Sequence, residues 1–208
     1  QDGSSALLDY GPDLAGKEVK TVLFVPSLIN RGYILDLSRQ RSLMRYLAES
    51  GVRPLLLDWG APVDEERNFS LDDYIAGRLN RALDAALASA GQPIGLAGYC
   101  MGGLLAMPLA LARPADISSL ILMATPWDFH TGRQRDIIAV CKPAFETMIS
   151  TLGVLPVDTI QALFAALDPL LAARKFSRFN GLAANSAAAR SFVALEDWLN
   201  DGDRKSVV

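Results

Sequence analysis

The residues with the clearest chemical potential are Gly98-Tyr99-Cys100-Met101-Gly102-Gly103, which stand between an apolar run, Ile94-Gly95-Leu96-Ala97, and a long helical pattern. A Gly-x-Cys-x-Gly at a strand-to-helix junction is the pattern of a nucleophile elbow with cysteine in place of serine. The nucleophile occupies a strained turn, so the positions two before and two after it must be small for strand and helix to approach. Gly98 and Gly102 meet that requirement. Cys100 would open the helix, where the dipole and the free amides favour a thiolate. The amide of Met101 would face an oxyanion developing on the attacked carbonyl. A second donor is expected from the loop after an earlier strand, Pro26-Ser27-Leu28-Ile29-Asn30, with the Leu28 amide as the candidate.

A cysteine nucleophile needs a base, and the chain has one histidine. His130 lies two residues after Asp128. An acid and a base that close on one loop do not line up behind each other, so His130 reads as a loop residue rather than the base. Cys141 falls on the apolar side of a helical pattern with Ile137, Ile138, Phe145 and Met148, the setting of a core thiol. No metal-ligand spacing and no glycine-rich phosphate loop occurs.

The elements that must hold these residues follow from hydrophobic patterning. Thr21-Val22-Leu23-Phe24-Val25 is a continuous β-branched and apolar run, as in a strand covered on both faces. Leu55-Leu56-Leu57, residues 94–97 and residues 120–124 are further short strands. Helices are expected over 38–50, over 70–90 with Ser70 and Asp73 as a capping box, and over 101–112, where Pro108 should remove one bond and bend the axis. Alternation of strand and helix, with connections too long for hairpins, predicts a parallel sheet with helices on both faces. After residue 124 the pattern is helical only, over 135–151, 157–174 and 186–200. A helical insertion at that point of an α/β chain is expected to form a cap over the site. The expected organisation is therefore the sheet core over 1–124, a helical cap over 125–202 and a tail over 203–208.

Composition narrows the function classes. The 208 residues are 50% hydrophobic and 21% charged, which excludes disorder and low complexity. With 20 basic and 23 acidic side chains and no run of either sign, nucleic acid is not an expected partner. The strongest apolar stretch, over 104–112, is far below the roughly 18 residues of a membrane span, and a cytoplasmic location is expected. Two cysteines form no disulfide framework. The chain opens at Gln1 rather than methionine and closes on Asp203-Arg204-Lys205-Ser206-Val207-Val208, which has neither cap nor pattern. That tail reads as non-native, translated from a sequencing adapter, so the sequence is expected to be a truncated fragment.

Taken together, the residues resemble the polyhydroxyalkanoate synthase family, the cysteine branch of the α/β-hydrolase fold. The matching stretches are Pro26 with Ile29-Asn30, Tyr33-Ile34-Leu35-Asp36-Leu37, Ser42-Leu43, Asp58-Trp59 and Gly98-Tyr99-Cys100-Met101-Gly102-Gly103. The likeness runs over about 22–129. The pattern departs at Arg31-Gly32, Gly60-Ala61 and Trp127. The resemblance implies an acyltransferase that binds no cofactor and takes a 3-hydroxyacyl group from coenzyme A onto Cys100, then passes it to a growing polyester. It also implies that the catalytic Asp and His lie on turns beyond this chain, leaving the fragment inactive by itself. Arg174, Lys175 and Arg178 read as a solvated helix end, with contact to the coenzyme A phosphates as the alternative. A homodimer or a partner subunit, and association with polyester granules, belong to the same set of expectations. A thioesterase or esterase, and a non-catalytic synthase-like subunit, are the competing functions.

Overall fold

In the computed structural model, the described residues are 3–15, 17–61, 66, 68–128, 132–153, 159, 162 and 170–201. They fall into two compact units, Gln1–Trp127 and Asp128–Val208.

The first unit is built on a five-stranded sheet. Its strands are β1 (Ala6–Asp9), β2 (Thr21–Val25), β5 (Arg53–Asp58), β6 (Ile94–Tyr99) and β7 (Ile117–Met123), in spatial order β1-β5-β2-β6-β7. The last four are parallel, as patterning predicts. β1 is antiparallel to β5, with Leu7 opposite Leu57 and Leu8 opposite Leu56, so the sheet is mixed rather than wholly parallel. Four residues before Tyr10-Gly11-Pro12 give too short a pattern to mark β1 in the sequence.

Period-two alternation divides the central strands between two apolar layers. Leu23, Val25, Leu55, Leu57 and Leu96 bury one face against Leu79, Leu83, Ala86, Leu105 and Leu109. Phe24, Leu56 and Ala97 bury the other against Met44 and Leu35. Each fully buried leucine contributes about 1.5–3 kcal/mol relative to exposure. β7 departs from this layout, because Leu120, Ile121 and Leu122 are all at least 40% exposed along the sheet's edge.

The helices differ from expectation at their starts. Residues 38–42 are not helical; β3 (Asp36–Ser38) and β4 (Arg41–Ser42) form a small hairpin, and α1 spans Leu43–Glu49. The reason is a cap: Ser42 Oγ accepts the Arg45 amide at 2.9 Å, which begins the helix there. The capping box at Ser70 is present. Ser70 donates its amide to Asp73 Oδ2 at 2.8 Å, and Asp73 returns its own amide to Ser70 Oγ at 3.3 Å. The helix it opens is a π-helix over Asp73–Leu79 before α2 (Asn80–Ala90). α3 (Met101–Ala112) continues through Pro108 without interruption, its exposed ring lying on the outer side.

The described residues of the second unit form the helices α4 (Gly132–Leu152), α5 (Leu171–Asn180) and α6 (Ala187–Asn200). Ser186 caps α6 by accepting the Ala189 amide at 3.1 Å. Phe192 stacks on Phe179 at 4.4 Å and meets Phe176 edge-on, and this joins α5 to α6. Much of the helix expected over 157–174, and residues 203–208, lie outside the described residues. Among the described residues no helix is long and apolar enough to cross a membrane.

Candidate active site at the strand-to-helix elbow

Cys100 stands alone between the last residue of β6 and the first of α3, with φ 52° and ψ −126°. A side chain at positive φ in this region costs on the order of 1–3 kcal/mol, and the surroundings must hold it there. One restraint is the Cys100 amide, which donates to the Met123 carbonyl at 2.8 Å and ties the turn to the end of β7. Ala124, the next residue along that neighbouring strand, is also at positive φ. The Cys100 side chain is half-buried.

The glycines explain how the turn closes. A Cβ on Gly98 would meet the Gly103 amide nitrogen at 2.7 Å and the Gly102 carbonyl at 2.8 Å. On Gly102 it would enter the Val25 carbonyl and lie 2.7 Å from that of Pro26. Gly103 is equally constrained, with the Thr125 Cβ 2.8 Å from where its own would stand. Gly-x-Cys-x-Gly spacing does not reach Gly103, and the Gly102-Gly103 doublet is the signal of it in the sequence. Small residues here let α3 start directly against the ends of β2, β6 and β7.

Leu28 lies on the turn after β2 and packs partly buried against the larger apolar layer. The turn is closed by Ser27, 7% exposed, whose Oγ accepts the Ile29 amide at 3.1 Å. This bond leaves the Leu28 amide without an acceptor among the described residues, and the Met101 amide is in the same condition. Both belong to segments that meet where Gly102 packs on Val25 and Pro26.

The chain beyond the turn is fastened by Asp36. Tyr10 donates its hydroxyl to Asp36 Oδ2 at 2.9 Å, while Arg45 donates through Nε to Oδ1 at 2.9 Å and through a terminal nitrogen to Oδ2 at 3.2 Å. Burial acts to raise the Asp36 carboxyl, but hydrogen bonds from Arg45, Ser42 and Tyr10 outweigh it and hold the group below the usual carboxylate range. Burial, with the hydrogen bond to Asp36 added, pushes the Tyr10 phenol up to about 12. Burial and the neighbouring Cys100 push the Tyr99 phenol up as well.

The other candidates belong to the second unit by sequence. Asp128 opens the second unit, and His130 lies outside the described residues. Cys141 is half-buried rather than a core thiol; its neighbour Val140 is 79% exposed, so this stretch of α4 is not enclosed. Lys175 is committed to Glu196 at 2.7 Å, a bond that links α5 to α6.

A family model described as alpha/beta hydrolase fold matches residues 20–192. A poly(3-hydroxyalkanoate) polymerase subunit PhaC from Haloarcula marismortui is 32% identical, covering 97% of this chain and 45% of that protein. The subunit of the same name from Allochromatium vinosum is 29% identical over 86% of this chain and 51% of its own length. That from Haloferax mediterranei is 34% identical over 87% and 38%. The chain therefore spans between 38% and 51% of the length of these relatives. Among solved structures, the thioesterase domain from the curacin biosynthetic pathway superposes with a TM-score of 0.50 at 21% identity, covering 80% of this chain and 57% of that one. That likeness concerns the fold.

Proposed function

The chain belongs to the α/β-hydrolase fold family, and on that premise we propose that the full-length protein is a polyhydroxyalkanoate synthase-like acyltransferase. Cys100 is its nucleophile. The thiolate attacks the carbonyl of a 3-hydroxyacyl-CoA thioester, a tetrahedral oxyanion forms, and its collapse expels coenzyme A as the thiol while the acyl group stays on Cys100. The hydroxyl of a polyester chain then attacks the acyl-enzyme, extending the polymer by one ester bond and returning the thiol. The amides of Met101 and Leu28 are the oxyanion donors, and Gly98 and Gly102 are the elbow glycines. An Asp–His pair elsewhere in the full-length protein serves as the base. No cofactor takes part, and the protein acts in the cytoplasm at the surface of its own polyester product.

The observation that carries this reading is Cys100 itself, a thiol held at positive φ where a parallel strand enters a helix. Around it, two turn amides are without acceptors among the described residues. The polymerase subunits matched across most of this chain support the choice of acyl donor and acceptor.

The test is to incubate the full-length protein with 3-hydroxybutyryl-CoA and follow coenzyme A release together with the size of the product. Release with polyester formation is expected, and Cys100→Ala should abolish both while leaving the fold intact. Free hydroxy acid as the sole product would instead make the protein a thioesterase, and appreciable turnover by Cys100→Ala would remove the nucleophile.

A further inference from the structure

We propose that Trp59 is a positioning residue for acyl transfer, acting through the Pro26 carbonyl on the turn that presents the Leu28 amide; this rests on the reading of that amide as an oxyanion donor. Trp59 follows β5, is 2% exposed, and donates its indole N–H to the Pro26 carbonyl at 3.1 Å. The same carbonyl faces the first turn of α3, where a Cβ on Gly102 would lie 2.7 Å from it. One oxygen is thus bracketed by an indole donor and by the elbow.

Planarity of the peptide bond makes this bracket consequential. Fixing the Pro26 carbonyl fixes the plane shared with the Ser27 nitrogen, and with it the direction in which the chain leaves for Leu28. The turn is held again one residue past Leu28 by the bond from the Ile29 amide to Ser27 Oγ at 3.1 Å. Between these two restraints stands the Leu28 amide. If the indole donor were lost, the buried Pro26 carbonyl would be left without it and would turn to find another, carrying the turn with it.

Trp59 is itself built to hold one orientation. Tyr74 meets its ring edge-on at 5.7 Å and 89°, and Phe69 meets Tyr74 in the same manner at 5.4 Å. The Trp59 backbone carbonyl has the hydroxyls of Ser4 at 2.8 Å and Ser5 at 3.4 Å.

The experiment uses the full-length protein, with Trp59→Phe and a second variant in which position 59 carries β-(3-benzothienyl)alanine. That analogue keeps the shape of tryptophan but replaces the N–H with sulfur, so it also serves if Trp59→Phe folds poorly. Two rates are measured at Cys100. The first is acylation by p-nitrophenyl butyrate, read as the nitrophenolate burst, which requires an oxyanion. The second is alkylation by iodoacetamide, read by mass spectrometry of the Cys100 peptide, which does not. In both variants the maximal acylation rate should fall about tenfold to a hundredfold, with half-saturation and alkylation within about twofold of the parent. Acylation within about threefold of the parent in the analogue variant, or alkylation falling in proportion, overturns the proposal. If acylation by the ester depends on Trp59 while 3-hydroxybutyryl-CoA yields no free coenzyme A, the synthase reading falls and the role of Trp59 stands. Where the ester gives no burst in the parent protein, coenzyme A release from 3-hydroxybutyryl-CoA is the acylation rate compared, and absence of both in the parent removes both readings.

Discussion

A Cβ built on Gly102 would enter the carbonyl of Val25, so the nucleophile helix and the end of β2 share a surface with no room for a methyl group. Backbone atoms line that surface, and they cannot swing aside as a side chain would. Gly102→Ala is expected to cost about 3 kcal/mol or to prevent folding, as over-packing against fixed atoms does. Gly77 is the control, since it is helical and a Cβ there would approach only Arg81, at 3.7 Å. Gly77→Ala should be neutral or gain up to about 1 kcal/mol. Urea unfolding of the pair measures both, and equal stability of the two variants would refute the close-packing account.

Cys100 invites a comparison of two small replacements. Alanine keeps the Cβ and therefore the strain at φ 52°, whereas glycine releases it. The strain is on the order of 1–3 kcal/mol and the extra unfolded-state entropy of glycine about 0.5–1 kcal/mol. Cys100→Gly should therefore be the more stable of the two, by about 1 kcal/mol. Thermal unfolding of both variants decides it, and a less stable glycine variant would mean that the elbow is not strained.

Arg78 and Glu66 form a buried ion pair at 3.1 Å, with both side chains no more than 5% exposed. Arg78 also lies over the Phe69 ring, and Ser4 Oγ is 2.6 Å from Glu66 Oε1. Glu66→Gln removes one charge of this buried pair while the guanidinium stays buried, and is expected to cost about 3–5 kcal/mol. The double change Glu66→Leu with Arg78→Met should recover most of that loss, because both charges of the pair leave the interior together. Unfolding free energies of the parent and the two variants test this, and a double variant no more stable than Glu66→Gln would contradict it.

The parts legible in the sequence are those where one local pattern suffices. The apolar runs of β2, β5 and β6, the Ser70–Asp73 cap and the full extent of α3 all follow from periodicity and turn chemistry. The Gly-x-Cys-x-Gly spacing places Cys100 at the elbow for the same reason. What escaped depends on partners distant in the chain. β1 becomes a strand because β5 offers it an antiparallel edge, and Ser42 rather than Ser38 starts α1 because the Asp36–Ser42 hairpin precedes it. Trp59 follows Leu55-Leu56-Leu57 as one more apolar residue. Its N–H finds Pro26, 33 positions earlier, only once the strands are side by side.

Tyr10 gives the segment around Asp36 a dependence on alkaline pH. Its phenol is pushed from 10 in the unfolded chain to about 12 in the fold, by burial first and then by the hydrogen bond to Asp36. The folded state thus favours the protonated phenol, so this contribution to stability is complete below pH 10 and is lost as pH rises from about 10 to 12. Tyr10→Phe removes the titration together with the hydrogen bond. The variant should be less stable at neutral pH, yet its stability should fall less steeply than the parent's above pH 10, so that the two curves converge. Urea midpoints taken from neutral pH into that range, with the difference between the proteins plotted, isolate Tyr10 from the other groups that titrate there. Parallel curves would show that the Tyr10 hydroxyl is not held by Asp36.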